Sequence, residues 1–162
     1  SQIEKCINKK TVAIMIPNLL GNIANWKAIS KIAKKHNLKV ISDTAQSPNA
    51  LYKGKQAGVL ADIGGFSLNF HKHIHTGEGG ILVTNDDFYA DKLRLIRNHG
   101  EAVVGGMGFE DISNIIGFNF RLGEIEAAIG IEQLKKIDVL VNDRVAVANK
   151  IRDGIKICTT DA

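Results

Sequence analysis

The run FSLNFHKHIHTGEGG, residues 66–80, concentrates the most reactive side chains of the chain. His71, His73 and His75 alternate there, and Lys72 stands between the first two. If the run is extended, the three imidazoles share one face and could ligate a transition metal. Alternatively, Lys72 is the reactive group. In a pocket that lowers its pKa, its amine would be a nucleophile able to form a Schiff base. A third reading is an exposed, polar, mobile loop. These residues alone leave all three open. Gly77, Gly79 and Gly80 fit neither a Walker loop nor a G-x-G-x-x-G fingerprint, so an NTPase or NAD-binding domain is unsupported. The other candidate is Asp43, just after the apolar run LKVIS. Ligands of open α/β sheets bind beyond the carboxyl ends of strands, where a carboxylate can hold a cofactor or a metal. Asp43 could equally cap the turn Thr44-Ala45-Gln46. A phospho-receiver domain would need an acidic pair near the start for Mg²⁺. The opening SQIEKCINKK offers only Glu4.

These residues need a scaffold, and the periodicity supplies one. TVAIMIP, residues 11–17, is short, apolar and rich in β-branched residues, which predicts a buried strand. Residues 24–37 space Trp26, Ile29, Ile32 and Ala33 as a helix does, with lysines on the other face. Residues 38–42 form a second strand ending at Asp43. Strand, helix, strand in about 30 residues is a βαβ unit with parallel strands. Residues 53–58 read as a turn, 62–68 and 80–84 as further strands, and 86–98 as a helix opened by Asp86 and Asp87. Residues 99–120, with Gly105, Gly106, Gly108 and Gly117, read as a long functional loop. From about Gly123 to Ile157 the pattern is helical, with a break expected near Ile137–Asp138. That long amphipathic stretch has little else in the chain to pack on, so another subunit or further residues are expected to cover it.

The 162 residues are 44% hydrophobic and 23% charged, which excludes a disordered tail and describes an ordinary globular domain. No apolar run reaches the roughly 18 residues of a membrane span. The opening residues lack an apolar signal core, so a cytoplasmic protein is expected. Cys6 and Cys158 form neither a disulfide framework nor a zinc site, and read as free thiols. The net charge of +4 comes from 21 basic and 17 acidic residues interspersed along the chain. Lys27, Lys31, Lys34, Lys35 and Lys39 read as a solvated helix face. No aromatic stacking platform accompanies them, so a nucleic-acid partner is not expected.

Four segments, VISDTAQS, FSLNFHKHIHTGEGGILVTND, LRLIRNHG and GFNFRLGEIEAAIGIEQLKKID, occur in this order and at these spacings. In them the chain resembles the DegT/DnrJ/StrS sugar aminotransferases over about residues 3–157. The resemblance implies an α/β fold: the central part of the large domain of a fold type I pyridoxal-phosphate (PLP) enzyme. That means a mostly parallel sheet flanked by helices, ending in a long C-terminal helix. Residues 1–137 would be a partial PLP-binding domain, and 138–162 a helix leading towards an absent small domain. The implied activity is amino transfer, usually from glutamate, to a keto group on a nucleotide-linked sugar. Its products serve amino-sugar biosynthesis for surface polysaccharide (lipopolysaccharide) or antibiotics. Lys72 matches the lysine that binds PLP covalently and moves the proton. Asp43 matches the partner of the pyridine nitrogen, Gln46 the residue against the ring and its 3-oxygen, and Ser67 a phosphate contact. Asn119 matches a residue reaching the neighbouring subunit's phosphate, which implies a homodimer; Arg121 would help there. The resemblance implies no metal.

Two departures qualify this. A dehydratase branch of the family carries histidine where Lys72 stands, and PNLLGN, residues 17–22, faintly resembles that branch. The presence of Lys72 favours transamination, with a sugar dehydratase as the alternative. Family members are also more than twice as long. The chain therefore reads as a fragment, or as a truncated relative without catalysis, and poor solubility is expected of it in isolation.

Overall fold

The computed structural model describes residues 2–101 and 115–160, with side chains to residue 155. A short helix α1 (Gln2–Cys6) precedes strand β1 (Ala13–Pro17) and a one-turn 3-10 segment, Leu19–Gly21. Helix α2 (Trp26–Lys35) leads to β2 (Lys39–Asp43), and a small hairpin pairs β3 (Leu51–Tyr52) with β4 (Lys55–Gln56). After a 3-10 turn, Ala57–Leu60, come β5 (Ile63–Ser67), β6 (Gly80–Val83) and helix α3 (Asp87–Arg97). Helices α4 (Glu124–Leu134) and α5 (Ile137–Thr160) complete the described chain.

The main sheet has the order β1-β2-β5-β6. The first two pairings are parallel, while β5 and β6 are antiparallel. The sheet is thus mostly parallel, as expected. Pro17 is tolerated because it ends β1, which has no neighbour on its other side among the described residues. Helix α2 is started by Asn25, whose side chain accepts the Ala28 N–H at 3.1 Å. It ends where Asn37 takes a left-handed φ of 52°. Its Ile29 and Ala33 pack with Ile16, Val40 and Ala61 in the core. Gly64 lies so close to the Gly58 backbone that any side chain there would collide, which lets the 57–60 turn seat on β5.

Two boundaries differ from the sequence reading. Residues 53–58 hold a hairpin and a 3-10 turn; Lys53 and Gly54 both have positive φ, the geometry of a two-residue hairpin loop. The helical break falls at Lys135–Lys136, before Ile137. Of the glycine-rich stretch 99–120, residues 102–114 lie outside the described residues. Residues 118–120 run along the end of α3: Phe118 N–H donates to Ile96 O at 2.7 Å, and Phe120 N–H to Arg97 O at 3.0 Å.

The helices differ in burial. α2 and α3 bury apolar residues, and Leu95 of α3 is wholly enclosed. Helix α4 buries none, and Ile125, Ile131, Val139, Val145 and Ile151 are exposed. No described helix is long and apolar enough to cross a membrane.

Candidate active site at the carboxyl edge of the sheet

The parallel strands bring two predicted residues to one edge. Asp43 ends β2 opposite Gly65 of β5, and Ser67 ends β5 two residues further on. Asp43 is half-buried, and its Oδ1 accepts the Ala45 N–H at 3.0 Å. The capping role and a place at the strand end are therefore both real. The turn takes up one carboxylate oxygen, and no described hydrogen bond uses the other.

Lys72 lies in the loop that leaves β5 and returns as β6. This loop is pinned. Leu68 N–H donates to Gly79 O at 2.8 Å, and Thr76 N–H to Leu68 O at 3.0 Å. The Asn69 amide spans the loop to Glu78 Oε1 at 2.6 Å, and its Oδ1 receives the His71 N–H at 3.3 Å. Leu68, Ile74 and Thr76 are buried beneath it. Gly77, at φ 87°, allows the turn back to the sheet. Lys72 itself is half-buried, and no hydrogen bond or ion pair among the described residues engages its Nζ. The Ser67 hydroxyl oxygen accepts the Asn69 N–H at 3.3 Å.

The three histidines do not alternate along a strand. Residues 70–74 are turns and bends, which removes the shared face that a metal reading needs. Among the described residues no group of His, Cys, Asp or Glu is arranged to hold a metal ion. His73 is held below its ordinary pKa, first by partial burial and then by the positive charges of Arg144 and Lys72.

The remaining predicted residues lie at the periphery. Gln46 is exposed, and its Oε1 accepts the Leu20 N–H at 3.3 Å. Asn119 is exposed and bridges Asn98. Arg121 donates to Asn98 Oδ1 at 2.8 Å.

Sequence reasoning missed the polar network beneath this edge. Asn18 and Ser42 are buried and joined at 3.0 Å; Ser42 donates onward to Ala57 O at 3.2 Å. The Ser47 hydroxyl donates to Asn18 O at 2.5 Å and accepts the Gly21 N–H at 3.0 Å. These bonds tie the loop after β1 to the loop after β2. The signal was available: Asn18 directly follows a strand end, and Ser42 and Ser47 flank Asp43. Asn69 and Glu78, which clamp the Lys72 loop, stand out in the sequence only as part of a motif.

A mostly parallel sheet with its reactive side chains at the carboxyl edge is the large-domain architecture of fold type I aminotransferases, and solved members superpose on it. The Helicobacter pylori aminotransferase PseC, of pseudaminic acid biosynthesis, matches with a TM-score of 0.76 at 38% identity over 85% of this chain and 36% of its own. The E. coli GDP-4-keto-6-deoxy-D-mannose-3-dehydratase, solved with hydrated PLP, matches with a TM-score of 0.82 at 32% identity, covering 95% of this chain and 43% of its own. The family model of the DegT/DnrJ/EryC1/StrS aminotransferases matches residues 1–161, and the chain belongs to that family. Among curated relatives, the GDP-perosamine synthase of Caulobacter vibrioides is 42% identical over 85% of this chain and 36% of its own length. A UDP-4-amino-4,6-dideoxy-N-acetyl-β-L-altrosamine transaminase from Helicobacter pylori is 38% identical over 90% of this chain and 38% of its own. The chain spans well under half the length of the relatives it matches.

Proposed function

We propose that this chain carries the central part of the PLP site of a nucleotide-sugar aminotransferase. The observation that carries the reading is Lys72: a half-buried amine without a described partner, on a pinned loop after the strand beside Asp43. The donor set suits PLP. It offers an amine for the carbonyl carbon, a carboxylate for the pyridine nitrogen and a hydroxyl for the phosphate. In this reading Lys72 would hold the cofactor covalently, Asp43 would keep the ring nitrogen protonated, and Gln46 would serve the ring and its 3-oxygen. Ser67 would contact the phosphate, and Asn119 would reach the partner subunit's phosphate in a homodimer. When bound, PLP supplies a ring that accepts electrons from the donor's α-carbon.

The chain's own work is proton transfer and positioning. Once displaced by the donor amine, Lys72 Nζ takes the α-proton of glutamate as a base and returns a proton as an acid. The Asn69–Glu78 clamp holds the loop that carries Lys72. With PLP bound to carry the amino group between the two half-reactions, Lys72 would serve the same acid and base roles when the keto sugar is the acceptor, which predicts ping-pong kinetics. Residues 1–137 are read as the central cofactor domain and 138–162 as the helix leading towards a second one. The products are read as amino sugars for surface polysaccharide or antibiotics, made in the cytoplasm.

A sugar dehydratase is the second reading, supported by the 3-dehydratase neighbour. Lys72 stands against it. The test supplies the intact protein with glutamate and a nucleotide-linked 4-keto sugar. Glutamate-dependent formation of an amino sugar supports the proposal. Loss of a sugar hydroxyl without net amino transfer supports the dehydratase.

A further inference from the structure

We propose that Asn69 is a positioning residue that fixes the spacing between the phosphate contact, Ser67, and the covalent anchor, Lys72. The proposal rests on the PLP reading above and adds a residue to it. PLP carries its aldehyde and its phosphate arm on neighbouring ring carbons. A site that engages both at once must therefore hold its hydroxyl and its amine at one separation. Asn69 stands between the two and is bonded towards each. Its N–H donates to Ser67 Oγ at 3.3 Å, and its carbonyl accepts the Lys72 N–H at 2.9 Å. Its side chain locks the same segment, with Oδ1 accepting the His71 N–H at 3.3 Å and Nδ2 donating to Glu78 Oε1 at 2.6 Å.

These bonds fix which way each group faces. A carboxylate only accepts, so the Asn69 amide turns Nδ2 to Glu78 and leaves Oδ1 for His71. The far end of the clamp is anchored as well. The Glu78 carbonyl accepts the hydroxyl of buried Thr76 at 2.8 Å, and Gly79 O accepts the Leu68 N–H at 2.8 Å. The Asn69 N–H occupies an acceptor site of the Ser67 oxygen, and no described bond uses the hydroxyl proton. That proton is left to be donated to a phosphate oxygen. The Asn69–Glu78 bond is charge-assisted and joins residues nine apart, so it closes the loop on which the hydroxyl and the amine sit. Loosening it would let Ser67 and Lys72 drift apart, and small misplacements of reacting groups are costly.

The test measures covalent capture of PLP and of pyridoxal, which lacks the phosphate, by the intact protein stripped of cofactor. Borohydride stops the reaction, and peptide mass spectrometry reads the label on Lys72. Asn69→Ala should reduce the preference for PLP over pyridoxal by about tenfold, the worth of one hydrogen bond to a charged group. Asn69→Asp sets two carboxylates together and should lose at least as much above neutral pH. Asn69→Asp combined with Glu78→Gln reverses donor and acceptor, keeps an acceptor for the His71 N–H and leaves the net charge of wild type. That pair should restore the preference to within about threefold of wild type. An Asn69→Ala protein that captures both compounds more slowly by the same factor overturns the proposal, because a merely structural role acts on both alike. So does an undiminished preference in Asn69→Asp, or a double variant no better than Asn69→Asp; these hold even where Asn69→Ala does not fold. Label on Lys72 in wild type, with a preference that the variants leave unmoved, defeats the Asn69 assignment alone. Absence of label on Lys72 in wild type defeats the PLP reading with it.

Discussion

Helices α2 and α5 both draw on isoleucine, alanine and lysine, yet they meet opposite fates. In α2, Ile29, Ile32 and Ala33 are buried, and Ile29 and Ala33 pack with Ile16 of β1, Val40 of β2 and Ala61. In α5, Val139, Val145, Val147 and Ile151 are all more than half exposed. Helical spacing shows which face is apolar, but only a neighbour buries it. For α2 that neighbour lies within the same βαβ unit; for α5 it is not among the described residues. The candidate site belongs to the first region. Asp43 ends β2, which shares in this core, and Ser67 and the Lys72 loop hang from its neighbour β5, whereas Asn119 is exposed at the end of α3.

The contrast predicts unequal responses to mutation. The largest falls on the core: Ile29→Ala should cost about 2–5 kcal/mol in denaturant unfolding, because it opens a cavity among Ile16, Val40 and Ala61. A cost below 1 kcal/mol would mean that the βαβ core does not organise the fold. Next comes the network under the edge. Ser42→Ala leaves Asn18 without its buried hydroxyl partner and should cost about 1–3 kcal/mol. It should also speed amide exchange at Leu20 and Gly21, whose loop that network holds. Asn25→Ala removes the cap of α2 and should cost about 1 kcal/mol. On the other side of the comparison, Ile151→Ala should change stability by no more than about 0.5 kcal/mol in the chain as given. A large loss there would show that α5 is already covered.

The smallest effect is electrostatic. Glu4 is lowered from 4.5 to about 2, chiefly by hydrogen bonds from Lys35 and His36 and by the Lys35 charge. A carboxylate depressed in the folded state stabilises above its unfolded pKa, and that contribution disappears as pH falls through the folded value. Wild type and Glu4→Gln should therefore differ slightly near neutral pH and converge as pH falls from 4.5 towards 2. The pair is exposed, so added salt should shrink the difference. A difference that survives high salt would contradict this.

Local rules made much of the sheet legible in the sequence. Short apolar runs gave β1 and β2, Asp86 marked the start of α3, and the strand ending at Asp43 pointed to the candidate ligand edge. The Lys53–Gly54 hairpin escaped because a two-residue turn leaves no periodic pattern. Asn18, Ser42 and Ser47 escaped because buried polar partners lie 24 to 29 residues apart and are joined only by parallel pairing. The histidine alternation misled in the other direction. It would matter only on an extended backbone, and residues 70–74 turn. The residues alone left Lys72 open between nucleophile and bystander; four ordered motifs singled it out.

The most direct test of the central claim is borohydride reduction of the protein with PLP, followed by peptide mass spectrometry. A pyridoxyl group on Lys72, lost in Lys72→Ala while the far-UV spectrum is kept, is the predicted result. Label spread over surface lysines such as Lys27 and Lys31, with none on Lys72, would contradict it.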